Sequence, residues 1–328
     1  MNGKLLFAVT AMLVVATVYT VFILCMNDTQ VRGLQPALAR EKGSRGTRYS
    51  RTNDQEKSDQ DVFDGVQTFL MFIGYPRSGH TLVRSLLDAH PNVIIANELD
   101  VISKWQQWST ADKNKDFLFN QLYLNSIKTA SVQHRYSYSV PGQWQGKYNN
   151  NILVIGDKKG GKTTNQLKKL SNVNALEEIK QVVEMPMKFL HVVRNPYDNI
   201  ATMLVKALKK RDDTDSGKKI NDPSNLDKEI NKYFILAERN NQLKKSLPGE
   251  VCEVHSAELI KQPRKTLLGI CQFLHLTCEQ RYIEDCSKII FPEAKKTRYN
   301  VVWTAKQKDL VREKLQRVPF LQNYSFED

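Results

Sequence analysis

The chain opens on an uninterrupted apolar run. Leu5 to Met26 carries no charged residue, and as a helix it spans about 33 Å, enough to cross a bilayer. Residues 27–62 reverse the pattern. They are polar, charged and poor in large apolar side chains, a composition that buries no core and reads as a flexible stem. From residue 63 onward, short apolar runs alternate with amphipathic stretches. Thr68–Gly74 reads as a buried strand and Thr81–Ala89 as a helix. Val93–Ala96, Ile152–Ile155, Phe189–Val193 and Val251–His255 read as further strands. Helices are expected over Val101–Lys128, Glu229–Lys245 and Lys265–Leu274, and after Val193, where Ile200, Met203, Leu204 and Leu208 recur at helical spacing. Lys209–Lys228 is charged and rich in breakers, and reads as a surface loop. Strands alternating with helices predict an α/β fold with a central, mostly parallel sheet and helices on both faces, three layers in all. The expected organisation is a short cytoplasmic tail over 1–4, a transmembrane signal anchor over 5–26, the stem over 27–62, and one domain over 63–328.

Composition adds a partner class. The 328 residues carry a formal net charge of +13, which favours an anionic partner. No basic-aromatic recognition module for nucleic acid stands out. Lys4 precedes the apolar run, while Arg32, Arg40 and Lys42 follow it, so charge bias does not set the membrane orientation. A short tail before a large domain points to a single-pass type II protein with its domain in the lumen. Asn323-Tyr-Ser325 is then a usable glycosylation acceptor, whereas Asn27-Asp-Thr29 stands close to the membrane. Cys25 lies in the apolar run. Cys252, Cys271, Cys278 and Cys286 remain, and Cys278 with Cys286 closes a short loop that can pair in an oxidising lumen. Four reduced core thiols are the alternative. No Cys/His cluster has zinc spacing, and no metal is expected.

Three constellations carry candidate chemistry. The first is Gly74-Tyr-Pro-Arg-Ser-Gly-His-Thr81, a Gly-bounded loop between a buried strand and a helix. Such a loop aims backbone N–H groups and a helix N-terminus at an anion. Arg77, Ser78, Gly79, His80 and Thr81 are its candidate ligands. The usual P-loop lysine is replaced by His80. The second is Val192-Val-Arg-Asn-Pro-Tyr-Asp-Asn-Ile-Ala-Thr202, where Arg194 ends a strand and Thr202 lies on the next helix, so that both can converge on a second phosphate. The third, Gly156-Asp-Lys-Lys-Gly-Gly-Lys-Thr163, formally matches G-x-x-x-x-G-K-[ST]. An ATPase or kinase would then need an apolar strand ending in an acid that holds magnesium, and the next apolar strand ends in Arg194 instead.

The first two constellations, in this order, resemble the PAPS-dependent sulfotransferases. PAPS is 3′-phosphoadenosine 5′-phosphosulfate. Gly74–Thr81, followed by Leu-Leu-Asp-Ala-His-Pro91 and Glu98, is similar to the family's 5′-phosphosulfate loop. Val193-Arg-Asn-Pro196 with Thr202 resembles the 3′-phosphate site, where Arg-Asp-Pro and a serine are usual. His255-Ser-Ala-Glu-Leu-Ile-Lys-Gln-Pro263, with Cys271-Gln-Phe-Leu274, resembles a later segment. The resemblance runs from about Thr68 to the end of the sequence, weaker in the middle. It implies a P-loop nucleotide-kinase-like three-layer fold, PAPS as donor and 3′,5′-ADP as product. The placement of Glu98 after Arg77, and the Asp157-Lys158 pair, resemble the Golgi tyrosylprotein sulfotransferases, though more thinly. It also implies roles. Glu98 is the general base; Arg77 and Lys158, with Lys159 and Lys162 as rivals, stabilise developing charge; Arg194 and Thr202 hold the 3′-phosphate. Apart from the resemblance, Lys295, Lys296 and Arg298 either close over that phosphate or form a solvated charge run. His80 stands where a threonine is common. It is either a neutral imidazole touching phosphate or a competing base.

The acceptor is expected to be a hydroxyl of a glycan or a tyrosyl peptide, and the site of action the Golgi membrane. The oligomeric state is open, a homodimer among the options. Rival readings are the ATPase or kinase of the third constellation, a glycosyltransferase using Asp213-Thr-Asp215, and a non-catalytic lumenal nucleotide-binding protein.

Overall fold

All seven residues of Thr68–Gly74 are buried, as expected of a strand that lies mid-sheet with both faces covered. The computed structural model describes residues 62–132, 138–149, 151–209 and 217–328. The expected tail, anchor and stem, with Asn27, and Asp213-Thr-Asp215 lie outside the described residues. Among those described, no helix is long and apolar enough to cross a membrane.

In chain order the main elements are β1 (Thr68–Gly74), α1 (His80–Asp88), β2 (Val93–Asn97), α2 (Val101–Gln107), α3 (Lys115–Ser131), β3 (Val154–Lys158), α4 (Gly161–Gln166), α5 (Leu170–Val183), β4 (Met187–Val193), α6 (Pro196–Ala207), α7 (Pro223–Ser246), β5 (Val251–His255), α8 (Ser256–Lys261), α9 (Pro263–Phe273), α10 (Gln280–Lys288) and α11 (Ala305–Gln316). The five strands form one sheet in the order β2-β3-β1-β4-β5, and every pairing is parallel. From β1 the chain builds β2 and β3 on one side, then crosses to β4 and β5 on the other. The carboxyl end of β1 is therefore a topological switch point, where α/β sheets bind ligands.

Alternation along β1 divides the core. Leu70 and Phe72 join Leu82, Leu86, Leu267 and Ile270 on the face covered by α1 and α9. Phe69, Met71 and Ile73 join Trp105, Phe119 and Ile179 on the face covered by α2, α3 and α5. A third cluster, built on Tyr197, Tyr233 and Phe234, seats α6 and α7 against α11. The expected surface loop over Lys209–Lys228 ends early. Asp222 accepts a hydrogen bond from the Asn225 amide at 3.1 Å and Pro223 opens α7, the cap-then-proline start that fits a helix N-terminus.

The disulfide also differs from expectation. Cys271 is joined to Cys278, not Cys278 to Cys286. After α9 the chain reverses through His275 (φ 56°), the Leu276 amide donates to the Cys271 carbonyl at 2.9 Å, and Cys278 is carried back to Cys271. Cys286 is a free thiol. It shares the buried face of α10 with Tyr282 and Ile283, and burial pushes it up to about 12.

Candidate active site

The loop between β1 and α1 takes positive φ at Gly74 (137°), Arg77 (69°) and Gly79 (99°). Left-handed residues between ordinary ones turn successive amides toward one side, the arrangement that binds anions. At Gly79 the requirement is conformational, since an added Cβ would meet nothing within 4 Å. No side chain caps α1 there, so its first amides are left for a ligand. The loop is pinned from beneath. The Gly74 amide donates to Thr164 Oγ1 at 2.9 Å, Thr164 donates to buried Asn240 at 2.7 Å, and Asn199 Nδ2 donates to the Pro76 carbonyl at 2.9 Å.

His80 is buried, with Nδ1 3.2 Å from Ser78 Oγ. Its ring lies against Gly160, where any Cβ would come 2.8 Å from Nδ1. Burial, with the nearby Lys158 charge, pushes its pKa down to about 3. At neutral pH it is an uncharged imidazole. The sign of the linkage follows. Because the folded value lies below the unfolded one, about 6.5, the stabilising contribution is present above pH 6.5 and lost as pH falls toward 3. Urea unfolding of His80→Asn across this window should show a weaker acid dependence than the parent; an unchanged dependence would contradict the assignment.

Glu98 and Lys158 meet at the carboxyl ends of β2 and β3. Lys158, at 1% side-chain exposure, places Nζ 3.0 Å from Glu98 Oε1 and 3.4 Å from Thr81 Oγ1. Lys159 Nζ lies 3.6 Å from Glu98 Oε2. Burial alone would raise the Glu98 carboxyl, but the two lysines outweigh it and the net position is below the usual carboxylate range. Burial pulls the Lys158 amine below its ordinary value, and Glu98 offsets only part of this. The Glu98 backbone is left-handed at φ 62°, as is Asp100 at 67°. Asp157 holds this turn. Its carboxylate accepts the amides of Leu99, Asp100 and Val101 at 3.1, 2.8 and 3.1 Å, and burial drives it up to about 6 against their pull.

The second cluster forms beside the first. Arg194 donates to Thr202 Oγ1 at 3.1 Å, to Thr297 Oγ1 at 3.1 Å and to the Lys295 carbonyl at 2.7 Å. Arg194 and Thr202 thus converge as the spacing predicts. Lys295 joins them from the expected charge run, and Thr297, which the sequence reading missed, joins beside it. Of the other two residues expected to close this site, Lys296 does not line the cavity, and Arg298 is 2% exposed and pairs with Asp198 at 3.3 Å. Asp198 competes successfully because it lies within the core, so the guanidinium turns inward rather than toward a ligand.

The formal P-loop at Gly156 is no loop. Gly156, Asp157 and Lys158 belong to β3, with Gly156 so tight against β1 that a Cβ would come 1.8 Å from the Leu70 carbonyl oxygen. Only Lys159 and Gly160 separate β3 from α4. Lys162, the lysine of the motif, is half exposed and pairs with Asp100. Lys162→Ala is therefore expected to change turnover by less than about fivefold, as for an exposed pair. A thousandfold loss of sulfate transfer in a steady-state assay would instead give Lys162 the charge-stabilising role assigned to Lys158.

Both clusters face one cavity of about 1250 Å³. Among the described residues lining it, Glu98 and Glu293 are the acids, set among many lysines and arginines, while Tyr138, Leu259, Ile260 and Phe291 supply an apolar wall. No group of three or more His, Cys, Asp or Glu among the described residues is placed to hold a metal ion.

A family model described as "Sulfotransferase family" matches residues 70–280, a span running from β1 through both clusters. The chain belongs to the sulfotransferase family, enzymes that take their sulfuryl group from PAPS. Its fold is similar to that of the sulfotransferase domain of the Synechococcus PCC 7002 olefin synthase, at 13% identity and a TM-score of 0.48, over 77% of this chain and 94% of that one. It is similar to sulfotransferase STF9 from Mycobacterium avium at 12% identity and a TM-score of 0.47, over 82% and 80%. It is also similar to mouse sulfotransferase SULT7A1 complexed with PAP, at 13% and 0.40, over 79% and 86%. No curated protein matches the chain.

Proposed function

We propose that the protein transfers a sulfuryl group from PAPS to a hydroxyl of a glycan or a tyrosyl peptide, with Glu98 as general base. The observation that supports this most is the convergence of the Arg77 loop, the Glu98–Lys158 pair and the Arg194–Thr202–Thr297 cluster on one basic cavity. The residues fit the donor. The loop amides and Arg77 suit the 5′-phosphosulfate. Arg194 and the threonines suit a 3′-phosphate, and Arg77 links the two clusters, its carbonyl standing 3.5 Å from Arg194 Nη1.

PAPS supplies an activated sulfuryl group on a phosphate leaving group. In transfer, the acceptor oxygen forms a bond to sulfur, the bond from sulfur to the phosphate oxygen breaks, and 3′,5′-ADP leaves. Glu98 takes the hydroxyl proton. Its low-lying carboxyl is ionised at neutral pH, and it can act through the oxygen that Lys158 does not hold. Lys158, in reach of both Glu98 and Thr81, stands between the base and the phosphate loop and can follow charge as it moves to the leaving oxygen. A loose transition state makes such positioning the larger part of catalysis.

The Cys271–Cys278 disulfide and the exposed Asn323 of its glycosylation pattern support a lumenal setting, with Leu5–Met26 as the Golgi anchor. Transfer of labelled sulfate from PAPS onto a panel of glycans and tyrosyl peptides tests the reading. Label on either class is expected. Donor binding with no transfer to any hydroxyl would favour the non-catalytic alternative.

A further inference from the structure

We propose that residues 319–328 form a strap that holds together the two halves of the 3′-phosphate site, with Asn195 as the positioning residue that fastens it. The proposal rests on the reading of Arg194, Thr202 and Thr297 as ligands of that phosphate.

The halves come from distant parts of the chain. Arg194 follows β4, and Thr297 opens a short 3-10 turn, Thr297–Asn300. The residue after each is tied to the same oxygen. Asn195 Nδ2 donates to the Ser325 carbonyl at 2.9 Å, and Arg298 Nη1 donates to it at 3.2 Å. Arg298 Nη2 also reaches the Asp328 carbonyl. One buried carbonyl gathers the hydroxyls. Asp198 O accepts Thr202 Oγ1 at 2.7 Å and Thr297 Oγ1 at 2.8 Å, while its carboxylate accepts the Arg298 amide at 2.9 Å. The Asp198 carbonyl and the Ser325 carbonyl thus each tie one half of the site to the other.

The strap is built to stay. Ser325 bonds the Asp328 carboxylate through its amide at 2.6 Å and its hydroxyl at 2.7 Å. Phe326 packs edge-on among Tyr197, Tyr299 and Trp303, with ring centroids 5.1, 5.7 and 6.1 Å away, and Lys308 Nζ lies 3.8 Å over its ring. Tyr324 bonds His255 at 2.8 Å, fastening the segment to β5.

Asn195 serves two partners. Its Oδ1 accepts the Tyr197 amide at 3.0 Å and caps α6; its Nδ2 donates to Ser325. An aspartate makes the first bond equally well. It fails at the second, where a carboxylate would face a carbonyl oxygen with no proton between them. The strap thus gives a physical reason for an amide at 195, where Arg-Asp-Pro is the usual pattern.

The test uses Asn195→Asp, which keeps the helix cap, and Phe326→Ala, which loosens the strap without adding charge. Calorimetry compares 3′,5′-ADP with 5′-AMP, which lacks the 3′-phosphate. Each variant should bind 3′,5′-ADP three- to tenfold more weakly, as for loss of about one hydrogen bond. Binding of 5′-AMP should stay within about twofold, and the double variant should be no weaker than the weaker single one. Unchanged 3′,5′-ADP affinity in both variants, or an equal loss for 5′-AMP, overturns the strap. Equal affinity of the parent protein for the two nucleotides overturns the 3′-phosphate reading beneath it.

Discussion

Glu98→Gln is expected to lower turnover by two to four orders of magnitude, the usual range for removal of a general base, while the KM for PAPS changes little. The substitution keeps size and hydrogen-bonding reach and removes the capacity to take a proton, together with the charge that faces Lys158 and Lys159. Glu98 is half exposed, and glutamine can still accept a hydrogen bond from buried Lys158, so a thermal melt of the variant is the control that separates lost catalysis from lost stability. The pH profile sharpens the test. Lys158 and Lys159 hold the carboxyl below its ordinary range, so the limb of turnover that reports Glu98 should fall below that range, distinct from a step near pH 6 where Asp157, which holds its turn, takes up a proton. His80, already neutral there with its pKa at about 3, should contribute no inflection near neutrality. Full turnover in Glu98→Gln would remove Glu98 from the role of base.

Lys158→Met should cost about two to three orders of magnitude in turnover, the usual loss on removing one preorganised donor to developing charge. Methionine fills much of the space left by a side chain that is 1% exposed, so the result reports on charge rather than on a cavity. Because Lys158 and Glu98 act as a pair, the double variant should lose little more than the worse single one. Single-turnover rates for the four proteins measure this directly. Fully multiplicative losses would mean the two residues act independently.

The fold was legible where burial is two-sided or periodic. β1 and β5 fall on the residues that their apolar runs predict, and the Asn-Pro start of α6 is readable from capping chemistry alone. α11 was not legible because its buried contacts reduce to one stripe, Gln307, Val311 and Leu315, in a sequence otherwise charged. β3 runs three residues beyond the predicted Ile155, through Gly156 and Asp157 to Lys158. Two charged residues in a buried strand contradict the usual pattern, and only the amides that Asp157 gathers and the Glu98–Lys158 pair explain them.

The site shows the same division. Ligands on strand ends and helix starts were readable because loop chemistry has a short local signature. The closure of the 3′-phosphate cluster was not. Lys295, Lys296, Thr297 and Arg298 are consecutive, and composition cannot tell which faces the cavity. Tertiary contacts decide it. Asp198 draws Arg298 into the core, which leaves Thr297 against Arg194. The disulfide was misassigned for a related reason: sequence spacing says which cysteines can meet, whereas the helical face of Cys286 says that it does not.

The most direct measurement is calorimetric binding of 3′,5′-ADP against 5′-AMP and magnesium-ATP. Charge-assisted bonds from Arg194 to a 3′-phosphate should make 3′,5′-ADP bind at least about tenfold tighter than either. Tighter binding of magnesium-ATP, with no gain from the 3′-phosphate, would contradict a PAPS site in this cavity.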